Sequence, residues 1–189
     1  MTLNKFAKII FLILSISKLL LAGELTEKAK EIIIQNYSNS IEIITYKLNL
    51  DNSLKNKSEI FAQQRFFSNF VYYYEIKENN KIIGYAILDN VLGKVKPITY
   101  LVIFNDVLSV KSVNVVKYRE QYGGAIENND WLNQFNQKTI SSEIELGKSI
   151  DGISGATISV KAMIKGVKRL LYLINNLGED ERDLLVSIE

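Results

Sequence analysis

The sequence predicts an α+β fold, a mainly antiparallel sheet packed against helices, on three observations. Two paired runs rich in Val, Ile, Tyr and Thr are separated by short polar turns, the pattern of consecutive hairpins. Segments with one apolar side stand on both flanks of those runs, at helical spacing. No low-complexity linker, internal repeat or interior boundary divides the chain, and 189 residues suffice for one domain with a proper core.

The elements follow in order. Lys5 and Lys8 precede an apolar run from Ile9 to Ile16, then Lys18 and Leu19-Leu20-Leu21-Ala22-Gly23. A basic start, a short apolar core and small residues read as a secretory signal over residues 1–23, cleaved near Ala22 or Gly23. Lys18 breaks the run short of the roughly twenty apolar residues a span needs; a retained anchor is the alternative. No Cys follows, which excludes a lipoprotein anchor. The expected mature domain is 24–189, extracytoplasmic, periplasmic or at the cell surface.

Ala29, Ile32 and Ile33 fall on one side of a charged segment from Glu24 to Tyr37, predicting a helix. Ile41 to Leu50 alternates in part and reads as a strand. Ser58, Ile60, Phe61, Arg65 and Phe66 suggest a short helix capped by Ser58. Tyr72–Lys77 and Lys81–Leu88 flank Glu78-Asn79-Asn80, a hairpin signature. A second hairpin joins Ile98–Phe104 to Val107–Tyr118 through Asn105-Asp106, with the lone proline, Pro97, opening it where a missing N–H costs least. Asp130 begins a short helix through Trp131 and Phe135. Ile158, Ala162, Met163, Val167, Leu170, Leu171 and Ile174 then repeat at helical spacing, a stripe facing the core, while Lys161, Lys165, Lys168 and Arg169 read as a solvated face. Lys161, in the first turn, is the one able to reach a phosphate. The charged segment from Gly178 to Glu189 reads as peripheral.

Composition removes several chemistries. The net charge of +2, with 23 basic and 21 acidic residues intermixed, gives no electrostatic case for nucleic acid. Without His or Cys there is no Ser-His-Asp triad, no thiol nucleophile and none of the usual ligands for structural zinc, iron–sulfur clusters or c-type haem. Redox chemistry would require an organic cofactor.

The most informative stretch is Asp151-Gly152-Ile153-Ser154-Gly155-Ala156-Thr157-Ile158-Ser159, directly ahead of the amphipathic helix. Small residues at a helix mouth let a backbone approach a phosphate, whose charge the free N–H groups and the helix dipole favour. The plainer reading is a loop-to-helix junction with Thr157 or Ser159 as N-cap.

The pattern Asp-x-x-Ser-Gly-Ala-Thr-x-Ser resembles the flavinylation motif of the FMN-binding domain family. Members include subunits of the sodium-pumping NADH:quinone reductase and of the related ferredoxin:NAD oxidoreductase complex. Gly84-Tyr85-Ala86, Gly93-Lys94 with Pro97-Ile98-Thr99-Tyr100, Tyr118-Arg119-Glu120 with Gly123-Gly124, and Trp131 to Phe135 fall in the family's order, so the resemblance spans roughly Tyr72 to Leu173. It implies a single FMN-binding domain with FMN covalently held by Thr157 through a phosphoester. It further implies that Ser154, Gly155, Ala156 and Ser159 surround the phosphate, that Asp151 belongs to the recognition sequence of a flavin transferase using FAD, and that Glu120, Gly123 and Gly124 lie beside the isoalloxazine ring. Val160 departs from the family, where a small polar residue is frequent. None of the ten tyrosines is assigned to the flavin.

The function this implies is an exported flavoprotein electron carrier, with a redox partner protein or membrane electron-transfer complex. A flavin-dependent reductase of a small substrate is the second reading; it needs a proton donor, and Glu120 is the first residue to change. A non-redox exported binding module is the third, separated from the others by visible absorbance.

Overall fold

The computed structural model describes residues 23–37, 40–178 and 185–187. The expected signal segment lies outside the described residues, apart from Gly23. Six antiparallel strands form one sheet in the order β5-β4-β3-β2-β1-β6. In chain order the elements are α1 (23–36), β1 (Glu42–Asn49), α2 (Asn52–Ala62), β2 (Phe70–Glu78), β3 (Lys81–Leu92), β4 (Pro97–Asn105), β5 (Val110–Lys117), α3 (Asn129–Leu132), α4 (Thr157–Asn175) and β6 (Leu185–Ser187). This is the expected α+β architecture.

Strands β2 to β5 form a continuous meander. The Asn79-Asn80 turn has positive φ at both residues, 50° and 63°. Asparagine tolerates that conformation, and its twist matches the strands it joins. The β4–β5 turn is longer than expected. The Asn105 side chain accepts from Ser109 N at 2.9 Å and Leu108 takes a φ of 59°, so pairing resumes only at Val110 rather than Val107. Pro97 opens β4 opposite Leu92.

Strand alternation sorts side chains onto two buried faces. Tyr74, Ile76, Ala86, Leu88, Leu101, Ile103 and Val116 pack under Ala29 and Ile33 of α1. Tyr73, Ile87, Val91, Tyr100, Val102 and Phe104 face α4 and α2. Helices therefore cover both sides of the sheet, and β4 is buried along almost its whole length.

Four expectations are corrected by the tertiary structure. Helix α2 begins six residues before Ser58: Asp51 caps it, accepting from Ser53 N at 2.7 Å, and Ser58 is buried and bonded to Leu54 O. Ile158 is 53 % exposed, while Ser159 and Val160 of the same first turn of α4 are the residues turned inward. The 185–187 segment pairs with β1 and adds a sixth strand. Arg169, expected on a solvated face, is fully buried: it meets Asp89 at 2.6 Å and Asn90 O at 3.1 Å, with its guanidinium over the Phe66 ring. Burial pushes the Asp89 carboxyl up from its ordinary range while Arg169 pulls it back. This pair, with Tyr100, ties α4 to β3 and β4.

Candidate functional site

Four backbone ends meet on one side of the sheet: the close of β3, the start of β4, the exit of β5 and the N-terminus of α4. Their side chains line a cavity of about 750 Å³, bounded by Lys94, Val95 and Lys96, by Glu120, Gln121 and Tyr122, and by Gly155 to Ser159.

The α4 wall is built by a turn that Ala156 N closes on Ile153 O at 3.1 Å. Gly155 takes a φ of +76°, with no atom within 4 Å of where a Cβ would stand. Glycine is required there by the backbone, not by space. Ala156 is the N-cap residue, and no side chain caps the helix. The expectation of Thr157 or Ser159 as N-cap is thus corrected. The first N–H groups of a helix have no intrahelical partners, and here they are left to solvent or to an anion. Thr157 is exposed at this terminus, on the rim of the cavity. Ser159 is buried two positions on, its Oγ 3.4 Å from the Tyr118 hydroxyl.

The opposite wall is the β3–β4 loop. Glu120 Oε1 accepts from Val95 N at 2.6 Å and from Lys96 N at 2.9 Å. These loop N–H groups hold the Glu120 carboxyl below its ordinary 4.5. It is ionised at neutral pH and a poor proton donor. Gly93 makes the contact possible, since a Cβ there would stand 2.7 Å from Glu120 Oε1. Arg119 braces the start of β4, where the loop ends, by donating to Pro97 O at 3.0 Å and Thr99 Oγ1 at 2.9 Å.

Gly123 joins the walls. Its φ is +86°, and a Cβ would meet the Tyr118 hydroxyl at 2.7 Å and Ala156 Cβ at 3.5 Å. Tyr118 in turn donates to Tyr122 O. Gly124 opens a short 3₁₀ turn and stands back from α4.

The fold brings Glu120, Gly155, Ala156, Thr157 and Ser159 together around one cavity, with Gly123 packed behind it. Ser154 is exposed in the turn. Asp151 is elsewhere: it lines a shallow hollow with Asp130, Trp131 and Gln134. Its backbone is fixed there by Trp131 Nε1 donating to Asp151 O and by Asp151 N donating to Gln134 Oε1, both at 2.8 Å. Trp131 to Phe135 is thereby the brace of the Asp151 loop. Lys161 faces a second groove of about 630 Å³, with Lys165 and Lys168.

Sequence reasoning missed Lys94, Val95, Lys96, Gln121, Tyr122 and Ile158 as cavity residues. Tyr122 was signalled only by its place between Glu120 and Gly123-Gly124; Ile158 was masked by its helical spacing. Among the described residues no cluster of His, Cys, Asp or Glu is fit to hold a metal ion.

Residues 93–172 match the model of the FMN-binding domain family, the family that the motif around Thr157 resembles. The match begins at the β3–β4 loop and ends within α4, and it contains every residue lining the cavity. It is shorter at its start than the expected Tyr72-to-Leu173 span, leaving Gly84-Tyr85-Ala86 outside. No curated protein matches the chain.

Proposed function

We propose that this FMN-binding domain is an exported electron carrier whose FMN is held covalently by Thr157. One observation carries the reading: an exposed threonine hydroxyl stands at an uncapped helix N-terminus on the rim of a cavity of about 750 Å³. That volume is within the range of small-molecule and cofactor sites, roughly 300–1,000 Å³. The anionic phosphoester would meet the positive end of α4, a gain of about 0.3–1 kcal/mol at an exposed terminus.

Attachment requires a flavin transferase with FAD as donor. The Thr157 Oγ would attack the riboflavin-side phosphorus of FAD, breaking the pyrophosphate bond so that AMP leaves, while the hydroxyl proton passes to a base of the transferase. Gly155 leaves the approach open. Glu120 and Arg119 fix the loop that forms the facing wall; Val95, Tyr122 and Ile158 supply apolar surface for a flat ring. FMN, when bound, supplies one- and two-electron redox chemistry. The carrier reading is favoured over the reductase because Glu120, the acid at this wall, is committed as an acceptor to two backbone N–H groups.

Peptide mass spectrometry tests this on protein exported beside a flavin transferase. One FMN phosphoryl adduct on the Thr157 peptide is expected. Thr157→Val should lose flavin that survives denaturation yet melt like the parent, since the hydroxyl is exposed. An unmodified peptide, or an adduct elsewhere, defeats the reading.

A further inference from the structure

The cavity end of the fold is also the end where the chain enters it. At the start of α1, Glu24 meets Lys117, the last residue of β5, at 3.2 Å. At the far end, Tyr37 donates to Phe104 O and lies under the Lys111 ammonium. Helices α1 and α4 therefore both begin at the cavity end, on opposite faces of the sheet. The sequence before α1 is basic and apolar, with Lys5, Lys8, Lys18 and the Ile9–Ile16 run.

That same end exposes an uncommon set of side chains. Leu92, Val95 and Tyr122 are 51 %, 71 % and 77 % exposed, and Lys94 and Lys96 flank Val95 on the loop tip. A ligand in the cavity would cover Val95 and Tyr122 in part. It does not account for Leu92, which stands outside the lining. Of the nearby acids, Glu120 is held by the loop N–H groups and Glu24 by Lys117, while Glu127 stands exposed beside Gly124. The β3–β4 loop tip itself turns apolar and cationic side chains outward and Tyr122 adds an aromatic ring, the composition of surfaces that sit at a headgroup boundary.

We propose that this tip docks on an anionic lipid surface, with Leu92, Val95 and Tyr122 reaching the acyl boundary and Lys94 and Lys96 meeting the headgroups. The cavity mouth would then face the membrane, within reach of electron-transfer partners embedded in it. The proposal rests on the export reading only for which leaflet is met, and a vesicle assay is indifferent to that.

The chain has no cysteine, so Val95→Cys and Val107→Cys each give one attachment point for an environment-sensitive fluorophore. Val107 is equally exposed, at 74 %, in the β4–β5 turn at the opposite end of the sheet. Full-length protein is mixed with phosphatidylcholine vesicles containing phosphatidylglycerol and a spin-labelled quencher lipid. Quenching at position 95 but not at 107 is expected. Adding Lys94→Gln and Lys96→Gln should weaken apparent vesicle affinity about twenty-fivefold, counting roughly fivefold per lysine. Equal quenching at both positions, or lysine variants that bind like the parent, overturns the proposal. A silent label at 95 also overturns it and leaves a protein partner as the reading of the tip. Flavin-free protein serves equally well, so a failure of the FMN reading would appear as absent visible absorbance and not in the quenching.

Discussion

Gly123 and Gly155 share a left-handed backbone, with φ of +86° and +76°, but differ in what surrounds them. An alanine in that region costs about 1–2 kcal/mol from the Cβ–carbonyl contact alone. Gly155→Ala should cost that and nothing more, because its Cβ meets no atom within 4 Å. Gly123→Ala should carry the same penalty and also displace Tyr118, whose hydroxyl lies 2.7 Å from the new Cβ. Tyr118 would then lose its bond to Tyr122 O and its contact with Ser159. One neutral hydrogen bond contributes about 0.5–1.5 kcal/mol, so the total for Gly123→Ala is about 1.5–3.5 kcal/mol. Gly155→Asn should recover part of the loss, since asparagine visits this region readily. Urea unfolding followed by Trp131 fluorescence gives the stabilities, and noncovalent titration with FMN reports the cavity. Gly123→Ala should weaken FMN binding more than Gly155→Ala does. Equal stability losses in the two variants, or an Asn no better than Ala, would refute the separation of backbone from packing cost.

Glu120→Gln should keep an acceptor for Val95 N and Lys96 N, while Glu120→Ala should sharply raise amide exchange at both; equal effects of the two substitutions would contradict the clamp. The Glu120 carboxyl lies below 4.5 in the folded state, so its hold on the loop is complete above that pH and fades as pH falls through the lower folded value, which exchange against pH would display. Arg169→Leu should destabilise by about 3–5 kcal/mol in thermal or urea melts, because it strands a buried Asp89; a loss under 1 kcal/mol would mean the carboxyl simply neutralises. Burial pushes Tyr37 up to about 12 and raises Tyr74 and Tyr100 further. These rings resist ionisation in the fold, so stability should decline as pH rises above 10, where the unfolded chain ionises first; native tyrosinate absorbance equal to that of denatured protein at pH 11 would rule this out.

Local pattern was enough for the hairpins, the α4 stripe and the motif around Thr157. Asn79-Asn80 specifies its own turn, and a helical repeat needs no partner to be visible. The helix start at Asn52 was missed because Asp51 stands ahead of a polar turn, whereas Ser58 precedes the apolar residues that attract attention. Arg169 was misplaced because a cation on a helix is solvated by default. Nothing in the sequence pairs it with Asp89, eighty positions earlier on strand β3.

The sequence by itself determined the fold class and the threonine at a helix mouth, since both rest on spacing between near neighbours. It could not determine what lies across from that threonine. The β3–β4 loop, the Glu120 clamp and Tyr122 reach the cavity only because β3 ends, β4 begins and β5 ends on the side of the sheet where α4 begins. Asp151 shows the converse: six residues from Thr157 in the chain, it is turned into a separate hollow by its bonds to Trp131 and Gln134. Proximity along the chain sets which residues can share a turn; only long-range strand pairing and helix packing set which residues share a cavity.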